Sequence, residues 1–338
     1  LEHVMGLMSD LLAFDNDSLD SVKSMEELYD EIREDPLYQR LFELANVHTA
    51  EEFGCDVPED AYEQMAGAIE DEDDWAEIRG EDWFKSAQVV ADGQNFFHWE
   101  LEFPEVFFDL DGEKLTGAGF DAVVGNPPWV ATAGRSDISV NMDRSVRGYL
   151  SEKYTTTNEQ FDLYVSFYEK FVEISSSGHT GIVVPDAILT REQNVHIREY
   201  LLNNTNLKYI LHIGMAFEGV ENGAAVLVSG GSSTSVNCGS ATSPIELDSI
   251  EYNTIPSEVF RDQDKNRFLL YLDAPTRSVL KKMEKKGTLG KQVEISRGEE
   301  IGKRANFLSA DSTSSQTEVI IPGSAIRKFS FNHEESRY

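Results

Sequence analysis

Gly125-Asn126-Pro127-Pro128-Trp129 directly follows a short apolar run, Phe120 to Gly125, that is rich in valine. The run has the pattern of a buried parallel strand, and in open α/β sheets ligands sit beyond the carboxyl ends of strands. The two prolines have no N–H and a fixed φ, so they lock the loop and leave its carbonyls free to accept. Asn126 adds a side-chain acceptor oxygen. Such a loop offers two converging acceptors suited to an –NH₂ group, with an aromatic plane beside them. The competing reading is a proline-rich turn around a buried tryptophan. Two prolines, each about 5% of ordinary usage, beside an asparagine and a tryptophan just after a strand favour the functional reading.

The elements that must position this loop follow from apolar spacing. Asn158 to Ile174 is helical, with Phe161, Leu163, Tyr164, Phe167, Phe171 and Ile174 available to a core face. Gly181 to Val184 reads as a buried strand halted by Pro185, Arg191 to Leu202 as a helix, and Leu207 to Ile213 and Ala224 to Ser229 as two more strands. This alternation, expected from residue 86 onward, predicts a doubly wound α/β sheet. Residues 4–85 read as acidic helices without site chemistry, with turns or caps at Asp56 to Asp60 and Glu70 to Asp74. Ser229 to Ser243, rich in Gly and Ser, reads as a surface loop or linker. Helix returns near Thr276 to Lys286, and short strands and loops follow.

Asn-Pro-Pro-Trp resembles the (N/D)PP(Y/F/W) motif of S-adenosylmethionine-dependent amino methyltransferases. Phe97-His98-Trp99-Glu100-Leu101-Glu102-Phe103-Pro104-Glu105-Val106-Phe107 resembles a segment of the large type IIG restriction–modification adenine methyltransferases and their phage-defence relatives. Phe161 to Phe167, Gly178 to Pro185, Ile197 to Leu202 and Gly214-Met215-Ala216-Phe217 follow that family's order of later motifs. The resemblance is good from about residue 95 to 230. It is weaker from 288 to 332, where Ile295 to Gly298 and Ile320 to Ile326 resemble the start of a target-recognition domain.

The resemblance implies a DNA N6-adenine methyltransferase of a restriction–modification or phage-defence system, with S-adenosylmethionine as cofactor and double-stranded DNA as partner. Its α/β fold would be a partial Rossmann-like class I methyltransferase sheet. The implied division is an acidic helical insertion (1–85), the catalytic half of the α/β domain (86–230), a linker and helical connection (231–287) and the start of a target-recognition domain (288–338). Asn126 and the Pro127 carbonyl would accept the two N6–H bonds, with Pro128 completing the loop. Trp129 and Phe217 would stack on the flipped adenine, and Phe167, with Asn126, would meet the cofactor. Core packing is the competing reading for Phe167 and Phe217. The family's glycine-rich cofactor loop has one nearby candidate, Gly117-Ala118-Gly119, which precedes the motif strand instead of joining strand to helix. The expectation is therefore an incomplete cofactor site, completed by an upstream segment or a separate chain. The start at Leu1 is read in the same sense, as a processed, trimmed or fragmentary terminus. No Pro-Asp…Glu-x-Lys nuclease pattern is present, so DNA cleavage is not expected. The other readings kept open are methylation of a protein glutamine or an RNA guanine amine, and a non-catalytic DNA-binding remnant.

Charge is the remaining unusual feature. The 338 residues carry 61 acids and 29 bases, a net of −32. Residues 1–120 hold 33 acids and 6 bases, whereas residues 261–338 hold 11 and 15. The acids decorate helical, apolar-containing segments, which favours a halophile's hydrated surface over a disordered tail that mimics nucleic acid or binds a basic partner. Arg297, Lys303, Arg304, Arg327 and Lys328, with the lysines from Lys281 to Lys291, suit DNA phosphates; a solvated lysine face is the alternative. The longest apolar runs are too short to cross a bilayer. Two cysteines, Cys55 and Cys238, exclude a disulfide framework and a four-thiolate zinc site and fit a reducing cytoplasm. The seven histidines lack metal-ligand spacing, so no metal is expected, and His98 reads as a packed residue.

Overall fold

The computed structural model describes residues 2–15, 17–131, 142–157, 161–215, 222–241, 250–286, 326–327 and 330–331. Two compact units divide the chain, Leu1–Arg277 and Ser278–Tyr338. In the second, the described strands are β7 (Ile326–Arg327) and β8 (Ser330–Phe331), an antiparallel pair.

The first unit begins with helices α1 (Glu2–Leu12), α2 (Leu19–Glu34), α3 (Pro36–Glu52), α4 (Ala61–Ala68), α5 (Glu72–Gly80) and α6 (Asp82–Gln94). Their starts are written in the sequence. Asp35 accepts from the Leu37 and Tyr38 amides ahead of Pro36, and Asp71 from the Asp73 and Asp74 amides, so each carboxylate satisfies backbone donors that the helix itself leaves open. Val47, Met65, Trp75, Ile78 and Phe84 form one core, and Val4, Met8, Ile32, Tyr38 and Leu101 a second. The short helices α7 (Trp99–Glu102) and α8 (Pro104–Phe107) follow. Strand–helix alternation does not begin at residue 86: α6 runs on through Gln94, and the first described strand starts at Ala122. His98 lies among aromatic rings, hydrogen-bonded to Asn46 (2.8 Å), and burial holds its pKa below the usual value.

The sheet has six strands: β1 (Ala122–Gly125), β2 (His179–Pro185), β3 (Leu207–Gly214), β4 (Ala224–Gly230), β5 (Ser235–Ser240) and β6 (Asn253–Pro256), in the order β1-β2-β4-β3-β5-β6. It is mixed. β1 and β2 are parallel, as are β3 and β5, while β4 runs antiparallel to both β2 and β3. The link between residues 214 and 224 is too short for a helical crossover, so β4 must turn back alongside β3. Register aligns Gly125, Ile182, Leu227, Ile210 and Cys238 in one row across five strands. All but Gly125 are fully buried, and burial pushes the Cys238 thiol up to about 12. The next row runs through Val124, Gly181, Val228, Tyr209 and Asn237; here Val124 is 79% exposed and Tyr209 38%. Among the described residues β1 forms one end of the sheet and pairs with β2 alone.

The stretch expected as a linker contributes β5 and β6 to this sheet. Gly230 (φ 128°) and Gly231 (φ 60°) turn the chain sharply, and a Cβ at Gly230 would lie 2.5 Å from the Gly178 carbonyl. Val236 and Cys238 then alternate inward with polar neighbours, which is strand behaviour despite the Ser/Gly composition. Among the described residues no helix is long and apolar enough to cross a membrane.

Helices α9 (Arg144–Lys153) and α10 (Leu163–Ser175) lie between β1 and β2 in sequence, and α11 (Ala187–Thr190) and α12 (Val195–Asn204) follow β2. Two buried charges tie the coil to them. Glu169 of α10, 3% exposed, accepts from the amides and hydroxyls of both Thr155 and Thr156 at 2.6–3.0 Å. Arg198 of α12 is fully buried and donates to the carbonyls of Ile188, Arg191 and Lys265; burial lowers its pKa to about 10. Replacing Glu169 with alanine leaves four donors without their acceptor. Glu169→Ala is expected to lower stability by on the order of 3 kcal/mol in a urea titration, and Glu169→Gln to lose less.

Candidate functional site

Asn126 leaves the carboxyl end of β1 and is exposed, Pro127 is buried, Pro128 is exposed and Trp129 is half-buried. Three contacts hold this loop in place. The β1–β2 ladder ends with Gly125 opposite Ile182. The Trp129 indole N–H lies 3.4 Å from the Val183 carbonyl, leaning the ring toward β2. Beyond the ring, Ala131 bridges to Asp162, and the Leu163 amide donates to the Val130 carbonyl at 2.8 Å, so the loop closes onto the start of α10. Burial raises the Asp162 carboxyl above the ordinary carboxylate range, opposed by Arg191 and a hydrogen bond to Gln193.

Close packing beneath the loop explains the glycine. A Cβ at Gly125 would lie 2.6 Å from Cε2 of Phe171 on α10. Phe171 meets Phe167 edge to face, with centroids 6.1 Å apart. Phe167 itself is 41% exposed, so on this helix it stands apart from Tyr164 and Tyr168, which are fully buried. An open aromatic face therefore lies one helical turn from the ring that underpins the loop.

The other sequence candidates fall elsewhere. Gly117-Ala118-Gly119 lies at the amino end of β1: the Gly119 amide donates to Val106 and the Phe120 amide to the carbonyl of Ile174 at the end of α10. It is thus at the sheet edge opposite Asn126. Phe217, Arg297, Lys303, Arg304 and Lys328 lie outside the described residues, and Arg327 pairs with Ser330 in the β7–β8 ladder. The lysines 281, 282, 285 and 286, at the end of α13 (Ala274–Glu284) and just beyond it, are exposed. Among the described residues no cluster of histidine, cysteine and carboxylate side chains could hold a metal ion.

Asp162, Phe171 and the Val183 carbonyl hold the loop in place; Asp162 and Val183 lie in segments that resemble family motifs and Phe171 on the expected core face, but the sequence assigns none of them this role. The sequence signal for Asp162 is its place just ahead of the apolar helix that the loop returns to. Also unanticipated is a carboxylate–imidazole pair, Asp186 and His212 (3.2 Å), at the same sheet edge beyond β4.

The exposed Asn-Pro-Pro-Trp loop at a strand end, with an aromatic helix below, lies inside the region that matches a restriction-modification methylase family. The model of the Eco57I restriction-modification methylase family matches residues 31–217, more than half of the chain, and the chain belongs to that family. The match begins within α2, so most of the acidic helices fall inside the family's region. Among curated proteins, the type II restriction enzyme and methyltransferase RM.Eco57I of Escherichia coli is 28% identical over 111 residues, covering 32% of this chain and 11% of the relative. The type II methyltransferase M.BstVI of Geobacillus stearothermophilus is 33% identical over 102 residues, 29% of this chain and 17% of the relative. M.TthHB8I of Thermus thermophilus is 29% identical over 112 residues, 33% and 26% respectively. The matched part of this chain thus spans about a quarter or less of these relatives. Among solved structures, the type IIG restriction endonuclease BpuSI aligns over 51% of this chain and 22% of its own, at 18% identity and a TM-score of 0.36. The type I restriction enzyme EcoKI M protein aligns over 38% and 26%, at 22% identity and a TM-score of 0.26.

The contact under the loop gives a test. Gly125→Ala is expected to cost about 1–3 kcal/mol by overpacking against Phe171. Phe171→Leu in the same chain should recover much of that loss, seen as a positive coupling in denaturant unfolding of the two single variants and the double variant.

Proposed function

We propose that this chain is the target-holding part of an S-adenosylmethionine-dependent DNA methyltransferase that modifies the N6 amine of adenine, within a restriction–modification system. The observation that carries the reading is the Asn126–Trp129 loop, with its asparagine exposed at the carboxyl end of a strand and its ring steadied by the neighbouring strand. Adenine's N6 lone pair is delocalised into the ring, which makes the amine a weak nucleophile. The Asn126 side-chain oxygen and the Pro127 carbonyl each accept one N6–H, drawing the nitrogen toward tetrahedral geometry and aiming its lone pair outward. This is positioning and electrostatic preorganisation, with little demand for a strong base. The base must leave the duplex to reach the loop, and stacking on Trp129, worth about 1–3 kcal/mol per base, offsets part of that cost. Phe217 serves as the second ring.

The cofactor supplies an electrophilic methyl group when bound. Phe167, open to solvent beside the loop's underpinning, fits its adenine ring. Among the described residues no glycine-rich strand-to-helix turn lies at the Asn126 edge to hold its methionine part. The unpaired side of β1 and the exposed Val124 support completion of the sheet and of the cofactor site by an upstream segment or a separate chain. The basic residues Arg297, Lys303, Arg304, Arg327 and Lys328 would contact the DNA backbone. No observation favours protein glutamine or RNA guanine as the acceptor.

The test is transfer of labelled methyl groups to DNA by the complete protein, or by this chain together with the completing half. Asn126→Ala is expected to reduce turnover at saturating cofactor by about 100-fold or more, with label found at adenine N6. Near-normal turnover in that variant, or label on protein or RNA alone, would show the assigned role to be wrong. The acidic surface is read as an adaptation to molar salt, where the Debye length is about 3 Å. The expected outcome is a melting temperature that rises as potassium chloride is raised from 0.1 to 2 M; a flat or falling response argues for a basic partner instead.

A further inference from the structure

A cavity of about 990 Å³ lies away from Asn126, farther along the same sheet edge, at the carboxyl ends of β2, β3 and β5. Its polar centre is Asp186, just after β2, paired with His212 of β3 across the start of β4. The pair depends on close backbone approach. The Asp186 amide donates to the Gly223 carbonyl at 2.8 Å, and a Cβ on Gly223 would collide with the Asp186 carboxylate. Both side chains remain about a third exposed, facing the opening.

Two tyrosines, Tyr252 and Tyr271, line the cavity. Tyr252 is 47% exposed and Tyr271 64%, and neither is spent on the core. Tyr252 stands edge to face against Tyr209 (5.6 Å), and Asn253 donates to the carbonyl of Leu270, which fixes the backbone next to Tyr271. The Phe268 amide donates to the Leu189 carbonyl at 2.8 Å, and Arg198 clamps the chain at Lys265, so this wall is fixed rather than loose. The charge of the lining is acidic, with Asp186, Glu251 and Asp273 against Arg191. That balance repels phosphate but suits a neutral aromatic ligand that brings N–H donors.

We propose that this cavity binds an unpaired nucleobase bearing an exocyclic amine. The base is sandwiched by Tyr252 and Tyr271 and donates its amine to the Asp186 carboxylate, with His212 holding that carboxylate in place. The site is distinct from the Asn126 loop. It rests on the methylase reading only in taking a nucleobase, not another planar amine, as the ligand. Thymine, which has no exocyclic amine, is the base it excludes. The base can come from a free nucleoside or from an unpaired position in DNA.

The experiment titrates the full chain with deoxyadenosine, deoxyguanosine, deoxycytidine and thymidine by calorimetry. A parallel series uses Asn126→Ala, which removes the other proposed amine acceptor. One or more of the amine-bearing nucleosides is expected to bind at least about tenfold more tightly than thymidine, and equally well in Asn126→Ala. Tyr271→Ala, at a largely exposed position that leaves the core intact, should weaken binding about tenfold, and Asp186→Asn should narrow the gap to thymidine. Competition by short single strands containing dA, dG or dC, with weak binding of the free nucleosides, would assign the ligand to DNA; tight binding of the nucleosides themselves would assign it to the free pool. Absence of binding by nucleosides and strands alike, thymidine binding as well as the others, or binding that survives Tyr271→Ala but is lost in Asn126→Ala would overturn the proposal. No cofactor enters these titrations, so a failure of methyl transfer leaves their outcome standing.

Discussion

The antiparallel course of β4 is the constraint on which the arrangement depends. Because β4 pairs with β2 on one side and β3 on the other, those two strands point the same way without touching. β1 and β5, parallel to β2 and β3 in turn, inherit that direction. Four strand ends therefore open onto one edge, and the groups placed there come from positions as far apart as Asn126 and Ser240. β4 enters at the same edge through Gly223, whose missing side chain lets Asp186 reach His212 over the top of the strand.

Ionic groups with few degrees of freedom hold the irregular backbone around this edge. Glu169 gathers the turn at Thr155 and Thr156, and Arg198 draws together the carbonyls of Ile188 in α11, Arg191 just after it and Lys265 far along the chain. Both are buried with multiple hydrogen bonds, the condition under which a charge inside a protein is tolerable. Each sits on a helix, α10 or α12, and reaches off it to order neighbouring segments, with partners that are largely backbone atoms.

What the sequence disclosed follows from this physics. The strands at Phe120, Gly181, Leu207 and Ala224 were legible because β-branched and apolar runs of that length fit a buried sheet. The Asn126 loop was legible because proline and asparagine restrict backbone and donors in a recognisable way. β5 was not, since Ser, Asn, Cys and Gly carry almost no strand signal; pairing with β3 and the burial of Val236 and Cys238 decide its conformation. Trp99-Glu100-Leu101-Glu102-Phe103 alternates as a strand would, yet folds as a short helix ahead of Pro104 with Leu101 turned into the core. The direction of β4 follows from link length, which periodicity does not report. Asp186 and His212 lie 26 positions apart and become neighbours only through strand order, so no spacing rule could join them.

Among the described residues the outer side of β1 carries no strand, which has a consequence for how copies of the chain would associate. An unpaired edge with a protruding valine accepts a strand from any source, including another copy of itself. The dense negative charge of the amino-terminal helices keeps such copies apart in dilute salt, but at molar ionic strength that repulsion is felt only over atomic distances. At high ionic strength, therefore, charge no longer separates two such edges, and a covering strand becomes the device that prevents their pairing.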